Sequence, residues 1–127
     1  MFHVDAVEHR LVSGGYGEPG PAAAWLRLTG PVLAGAASPG LAQLLAVADF
    51  GSALSQAMAP GSGVGLINVD VNVSLIRAPV GPWFCLEASG LVSEDGIGLA
   101  TTRLRDLQGP LGTVTQSQIA HSRAGLR

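Results

Sequence analysis

The residue of this sequence that most needs a chemical explanation is Asp49, which lies in an apolar stretch between Ala48 and Phe50. A buried carboxylate costs several kcal/mol unless it is paired or hydrogen-bonded. One interpretation is a general base that activates or positions a water molecule. The other is an exposed turn of a helix, or a carboxylate that caps a loop. The residues alone favour neither.

Two segments of alternating polarity carry further polar side chains. Gln116 and Gln118 are two positions apart, so they share one face of a predicted strand, and Asn68 and Asp70 do the same in another strand. A glutamine amide both donates and accepts, which suits it to hold a water molecule. Either glutamine could point inward, and Asp70 is either structural or a second charge near the site.

Other chemistries fit the sequence less well. All seven basic residues are Arg, so a Schiff-base lysine and a phosphate-binding loop lysine are excluded. No Gly-x-Ser-x-Gly nucleophile motif occurs. Cys85 follows two aromatic residues in an apolar strand, which indicates a core thiol. His3 and His9 would lie about 20 Å apart along a strand, and His121 is near the other end, so we predict neither a metal nor a cofactor.

The composition indicates one folded domain over residues 1–127. Apolar residues make up 47% and charged residues 13%, which excludes intrinsic disorder. A net charge of −2 argues against nucleic-acid binding. The N-terminal residues do not follow a signal-peptide pattern, and no apolar helical stretch approaches the roughly 20 residues that span a membrane. We therefore expect a cytoplasmic protein with no membrane insertion, and the low surface charge suggests that a partner covers some apolar surface.

Clusters of Gly and Pro divide the chain into segments with different periodicities. Leu41, Leu44, Leu45 and Ala48 follow helical spacing, and so few charges flank them that the helix should be buried on nearly all sides. Ser38 is a natural N-cap and Pro39 a natural first-turn residue. The predicted elements are strands at Phe2–Ser13 and Ala22–Leu28, a helix at Leu41–Met58, and strands at Leu66–Arg77, Pro82–Val92, Gly96–Leu107 and Leu111–His121.

The Leu66–Arg77 strand alternates regularly, which predicts one buried and one solvated face. Its apolar face would carry Ile67, Val69, Val71, Val73 and Leu75. The three strands after it are joined by short turns and should form an antiparallel meander with it. Two strands, a helix and a four-stranded meander predict an α+β fold in which one sheet wraps one helix.

That order of elements is typical of the hotdog fold, and five short sequence motifs occur in order along the chain. They are Trp25-Leu26-Arg27-Leu28, Ala48-Asp49-Phe50-Gly51, Asn68-Val69-Asp70-Val71, Arg77-Ala78-Pro79-Val80-Gly81-Pro82-Trp83 and Thr115-Gln116-Ser117. From about Val7 to Ser122, the chain resembles the C-terminal half of the type II acyl-CoA thioesterases, which are double-hotdog enzymes. The resemblance implies a single hotdog domain, an antiparallel sheet of five to six strands around one central helix.

The resemblance also implies a site and a reaction. Asp49 matches the family's water-activating Asp, and Gln116, which we favour over Gln118, matches the Gln that holds the same water. Asn68 aligns with a catalytic Thr or Ser, so an amide replaces a hydroxyl here. The implied reaction is hydrolysis of a fatty acyl-CoA by activated water, without a covalent enzyme intermediate.

The family's members usually carry two hotdog repeats, whereas this sequence contains one. A lone hotdog leaves a sheet edge and an apolar face open. We therefore expect a homodimer joined edge to edge; a different hotdog partner, or a half of a longer enzyme, remains an alternative. A module that binds acyl-CoA without turnover, or that only pairs with a catalytic chain, is the competing function. Arg77, Arg103 and Arg105 either meet CoA phosphates or are solvated.

Overall fold

The computed structural model describes residues 7–14, 20–31, 39–54 and 64–122. Its elements, in chain order, are β1 (Val7–Ser13), β2 (Ala22–Leu28), α1 (Gly40–Ala48), α2 (Phe50–Leu54), β3 (Val64–Asn68), β4 (Asn72–Leu75), β5 (Trp83–Val92), β6 (Ile97–Asp106) and β7 (Gly109–Ser122). The strands form one sheet in the order β1-β2-β5-β6-β7-β3, and β4 also pairs with β7. Every strand pair is antiparallel.

Of the predicted four-stranded meander, β5, β6 and β7 are confirmed and are joined by hairpins. The place of the first strand is wrong, because β3 and β4 pair with β7 whereas β5 pairs with β2. In the first turn Gly96 adopts a φ of +81° and its N–H donates to the Ser93 carbonyl at 3.1 Å. A positive φ is disfavoured for residues that carry a Cβ, so glycine is the residue suited to this turn. These hairpins give one face of the sheet to the core and leave the other outside.

The predicted helix is present but is divided at Asp49 into α1 and α2, and residues 55–58 of the prediction lie outside the described residues. Pro39 precedes the helix and its carbonyl accepts a hydrogen bond from the Gln43 N–H at 3.1 Å, while Ser38 is outside the described residues. One face of α1 packs into the core through Leu44, Val47 and Ala48. Leu41 and Leu45 stay about half exposed, so burial on nearly all sides does not hold within this chain.

The predicted strand at Leu66–Arg77 is interrupted, and the interruption exchanges its two faces. Asn68 pairs with Gln118 and Asn72 with Thr115, so three residues of this edge lie opposite two residues of β7. Such a bulge shifts side-chain alternation by one position. The predicted burial of Ile67, Val69 and Val71 is therefore wrong, since all three are exposed. Beyond the bulge, Val73 and Leu75 do pack against the core, as predicted.

The bulge has its own hydrogen bonds, and they assign a structural role to Asp70. The Val69 N–H donates to the Ser117 carbonyl at 2.7 Å. The Ser117 N–H donates to Asp70 Oδ1 at 2.9 Å. The Asp70 carboxylate thus accepts a bond from the β7 backbone beside the bulge, and an unpaired backbone N–H would be costly if buried.

Two further observations concern the described part of the chain. None of its helices has the length and apolar character needed to cross a membrane. No group of three or more His, Cys, Asp or Glu side chains in these residue ranges is arranged to hold a metal ion.

Candidate active site

Asp49 lies at the break between α1 and α2, with φ of −70° and ψ of −16°. Val47 and Ala48 before it are buried, while Asp49 itself is exposed within this chain. The interpretation of a fully buried carboxylate is therefore wrong for the chain alone. The carboxylate nevertheless has polar partners, because it contacts Asn68 at the end of β3 and Gln116 in the middle of β7.

The three residues predicted to form the site meet at one carboxylate oxygen. Gln116 Nε2 donates to Asp49 Oδ1 at 2.7 Å, and Asn68 Nδ2 donates to the same oxygen at 3.2 Å. Gln116 Nε2 also lies 3.3 Å from the Asp49 carbonyl oxygen. The Gln116 side chain is fully buried. A helix break, a central strand and an edge strand thus supply one polar cluster.

Gln118 joins this cluster through Asn68 rather than through Asp49. Its Nε2 donates to Asn68 Oδ1 at 3.0 Å, and its side chain is buried. Because the Asn68 oxygen accepts from Gln118, its Nδ2 is left to face Asp49. Gln116 and Gln118 therefore both point inward with different partners. Their spacing of two residues in a strand predicted that they share one face. It could not predict that Gln118 contacts Asn68.

The bulge at Val69–Val71 explains how Asn68 reaches the site. Before the bulge, Asn68 shares the inner face with Leu66, and after it the inner positions are Val73 and Leu75. Uninterrupted alternation from Val73 back to Val69 would turn Asn68 outward. One extra residue in the edge strand therefore places an amide, rather than an aliphatic side chain, beside the carboxylate.

The arrangement suits proton transfer from water. A carboxylate is an acceptor, and two amide donors on one of its oxygens hold it in a fixed orientation. A fixed base beside a polar, water-accessible surface can take a proton from a bound water molecule.

Gly51 allows the helix to approach the sheet closely at this site. A Cβ on Gly51 would lie 2.1 Å from Thr102 Oγ1 and 3.5 Å from Gln116 Oε1. Thr102 is buried and β-branched, so its side chain has little freedom to move aside. The glycine is therefore required by space rather than by its backbone conformation.

We expect Gly51→Ala to lower the free energy of unfolding by about 2 kcal/mol, as overpacking of a filled core does. It should also lower turnover, because the added methyl group would push the helix, and Asp49 with it, away from Gln116. Chemical denaturation and steady-state kinetics measure the two effects. Gly30→Ala is the control, since a Cβ there would meet nothing within 4 Å. Equal stability of Gly51→Ala and wild type would contradict the close approach.

The three arginines considered for phosphate binding do not form one set. Arg77 makes two hydrogen bonds to Asp106, at 2.8 and 2.6 Å, and also donates to the Gly109 carbonyl at 2.9 Å. Arg103 and Arg105 lie on the outer face of β6, and both pair with Glu87, at 3.4 and 3.6 Å. Arg77 is thus committed to holding the loop before β5.

Two other residues resolve questions left by the sequence. Cys85 is buried as predicted. Its burial, and to a smaller extent the negative charge of Glu87, raise the pKa of its thiol, so the nucleophilic thiolate is disfavoured. His9 on β1 packs its ring edge-on against Phe50 at 5.5 Å between centroids. A histidine therefore contacts the residue next to Asp49, and only the pairing of β1 with the sheet could reveal it.

A curled antiparallel sheet that packs against a short helix is a hotdog domain. The family model for the acyl-CoA thioesterase C-terminal domain matches residues 2–120, and the chain belongs to this family. No curated protein matches the chain.

Solved structures agree on the fold. An acyl-CoA thioesterase II from Mycobacterium marinum has a TM-score of 0.68 at 17% identity, over 97% of this chain and 52% of that one. The tesB protein of Mycobacterium avium subs paratuberculosis has a TM-score of 0.64 at 19% identity, over 95% and 50%. A thioesterase family protein from Silicibacter pomeroyi has a TM-score of 0.62 at 15% identity, over 95% and 88%. The chain thus spans about half the length of the two mycobacterial proteins.

Proposed function

We propose that this protein is an acyl-CoA thioesterase that hydrolyses a fatty acyl-CoA to a free acid and CoA. The observation that carries the proposal is the contact of Asp49 Oδ1 with both Gln116 and Asn68. Membership in the thioesterase family supports the class of reaction. The position of Asp49, exposed beside a buried amide cluster, is where a water molecule and a substrate could both reach a base.

In the proposed reaction, a water oxygen attacks the thioester carbonyl carbon while Asp49 takes one of its protons. The carbonyl oxygen carries the resulting negative charge in the tetrahedral intermediate, where backbone N–H groups usually provide donors. The intermediate then collapses, the carbon–sulfur bond breaks, and the thiolate of CoA receives the proton from Asp49. The products are a carboxylic acid and CoA thiol, and the carboxylate of Asp49 is restored.

Gln116 and Asn68 act in this scheme by orientation. Both bind Asp49 Oδ1, so the base cannot rotate away from the attacking water. By holding the base, they also orient the water that it binds. Gln118 has an indirect role, because it holds the Asn68 amide with its donor toward Asp49.

The amide at position 68 gives a specific prediction. Asn68→Ala should lower kcat about tenfold, because it removes one donor to Asp49 and leaves the buried Gln118 amide without its acceptor. Asn68→Thr, which returns a hydroxyl to this position, should retain more activity than Asn68→Ala. Steady-state kinetics of the two variants beside wild type test this. Equal kcat for Asn68→Ala and wild type would remove Asn68 from the site.

The proposed active form is a homodimer in which the β3 edges of two copies pair. In the described part of the chain, no strand lies beyond β3 and β4, and Asn68 is on this edge. Ile67 and Val69 on the same edge, and Leu41 and Leu45 on α1, are exposed apolar residues that a partner would cover. Light scattering should give twice the mass of one chain; a monomer would contradict the edge-pairing proposal. A second hotdog chain in place of the second copy is the alternative.

Thiol release from a panel of acyl-CoA substrates of short to long chain tests the proposed function. We expect the purified protein to release CoA thiol from at least one of them at a rate well above that of buffer. No release from any substrate by a folded protein would contradict catalysis. Binding of acyl-CoA without release would then support the module that holds the ligand without turning it over.

A further inference from the structure

We infer that Thr102, on the inner face of β6, is a positioning residue that holds the Gln116 amide in the orientation needed for catalysis. This inference rests on the proposed thioesterase function. It concerns a residue outside the Asp49, Gln116 and Asn68 set, and it assigns a role to two atoms that have no hydrogen-bond partner among the described residues.

The first observation is that the Gln116 amide is only half satisfied. Its nitrogen has two hydrogens and two acceptors, namely Asp49 Oδ1 at 2.7 Å and the Asp49 carbonyl at 3.3 Å. Its oxygen, Oε1, is buried and has no hydrogen-bond partner among the described residues. A buried carbonyl oxygen normally has a donor, so this one calls for an explanation.

The second observation is a complementary hydroxyl nearby. Thr102 Oγ1 is also buried and has no hydrogen-bond partner in the described ranges. Thr102 pairs with Val114, and Gln116 pairs with Ala100, so the two side chains are diagonal neighbours on one sheet face. Both atoms lie within 3.5 Å of the point that a Gly51 Cβ would occupy. The Thr102 hydroxyl is thus a potential donor near Gln116 Oε1, an acceptor that has no donor among the described residues.

These two observations indicate a hydrogen bond that forms during the reaction. Catalytic hydrogen bonds are often long in a free enzyme and shorten only in the substrate complex. In our proposal the Thr102 hydroxyl donates to Gln116 Oε1 when substrate closes the site. The bond fixes the amide plane, keeps Nε2 directed at Asp49, and so keeps the base aimed at the water. Thr102 itself touches neither substrate nor water.

The test compares Thr102→Val with Thr102→Ser. Valine keeps nearly the shape of threonine but lacks the hydroxyl, so kcat should fall about tenfold with KM within about twofold of wild type. Serine keeps the hydroxyl, so it should restore kcat to within about threefold of wild type. Thr101→Val, the adjacent residue on the opposite face of β6, is the matched control and should leave kcat unchanged.

Thermal unfolding separates positioning from a structural role. Because the Thr102 hydroxyl has no hydrogen-bond partner within the described part of the substrate-free chain, Thr102→Val should have a Tm equal to or above that of wild type while its kcat falls. A wild-type kcat for Thr102→Val, or a fall in kcat that serine does not reverse, would overturn the inference. So would a Tm that falls together with kcat.

An Asp49→Asn arm in the same assay distinguishes failure of this inference from failure of the proposed function. If wild type is active, Asp49→Asn is inactive and Thr102→Val is unaffected, only the role of Thr102 is wrong. If wild type releases no thiol, or Asp49→Asn retains full activity, the proposed function fails and the role of Thr102 fails with it.

Discussion

Asp49→Asn is expected to lower kcat for thioester hydrolysis by at least about 100-fold, the scale of losing a general base. Asparagine has nearly the same shape as aspartate and still offers an oxygen to Gln116 and Asn68. It cannot take the proton of the attacking water, and its basicity is negligible at neutral pH. KM should change by less than about threefold, because the residue acts on water rather than on the acyl chain. Steady-state thiol release at saturating acyl-CoA measures the effect.

Asp95→Asn is the matched control for this prediction, because Asp95 is an exposed carboxylate in the turn between β5 and β6. It should retain the kcat of wild type. Thermal unfolding of both variants excludes loss of the fold as the cause. An Asp49→Asn protein that is folded and retains more than about a tenth of wild-type kcat would show that Asp49 is not the base.

Asp106→Asn is expected to lower the free energy of unfolding by about 3 kcal/mol, because it breaks a buried ion pair. The Asp106 side chain is fully buried and accepts from Arg77, from the Val80 N–H at 3.0 Å and from the Gln108 N–H at 2.8 Å. It therefore joins the loop before β5 to the turn between β6 and β7. The effect should lie at the lower end for buried pairs, because about 30% of the Arg77 side chain stays in water. Urea denaturation measures it.

Glu87→Gln is the control for Asp106→Asn. Glu87 pairs with Arg103 and Arg105 on the outer face, where those arginine side chains are 78% and 47% exposed. Exposed pairs contribute about 1 kcal/mol or less. If Asp106→Asn lowered the free energy of unfolding no more than Glu87→Gln does, Asp106 would not be the residue that holds these loops together.

The same ion pair predicts how stability depends on pH. The hydrogen bonds from Arg77, opposed in part by burial, hold the pKa of Asp106 well below its usual range. A depressed pKa contributes stability that is fully present above the unfolded-state value of about 3.9 and is lost as the pH falls toward the folded-state value. The stability difference between wild type and Asp106→Asn should therefore be constant near pH 6 and shrink below about pH 4. A difference that does not shrink would contradict this origin.

Much of the sheet could be predicted from local signals. Alternation and turn residues located β2, β5, β6 and β7 to within about two residues, because each strand has one buried face and Gly, Pro or Asp residues lie in the turns beside it. The hotdog fold followed from the order of the elements. Ile67 and Val69 were misplaced for a physical reason: a bulge depends on the register against β7, and that register is a property of the folded pair rather than of either strand.

The sequence predicted which residues form the site better than it predicted the contacts between them. Asp49 stood out as a carboxylate in an apolar stretch. The strand pattern offered Gln116, Gln118, Asn68 and Asp70 as candidates, and only the resemblance to the thioesterase family selected Gln116 and Asn68 among them. The bond from Gln118 to Asn68 and the pair between Arg77 and Asp106 join residues that lie 50 and 29 positions apart. Such contacts depend on how strands are ordered in the sheet, which local patterns do not specify.

A single turnover of an acyl-CoA in water enriched in oxygen-18 tests the central claim most directly. If Asp49 activates water, the label enters the carboxylic acid in the first turnover, and the peptide that contains Asp49 stays unlabelled. Mass spectrometry of the acid and of that peptide gives both results. An unlabelled acid with label in the Asp49 peptide would mean that the carboxylate attacks the thioester to form an anhydride, and would contradict water activation by Asp49.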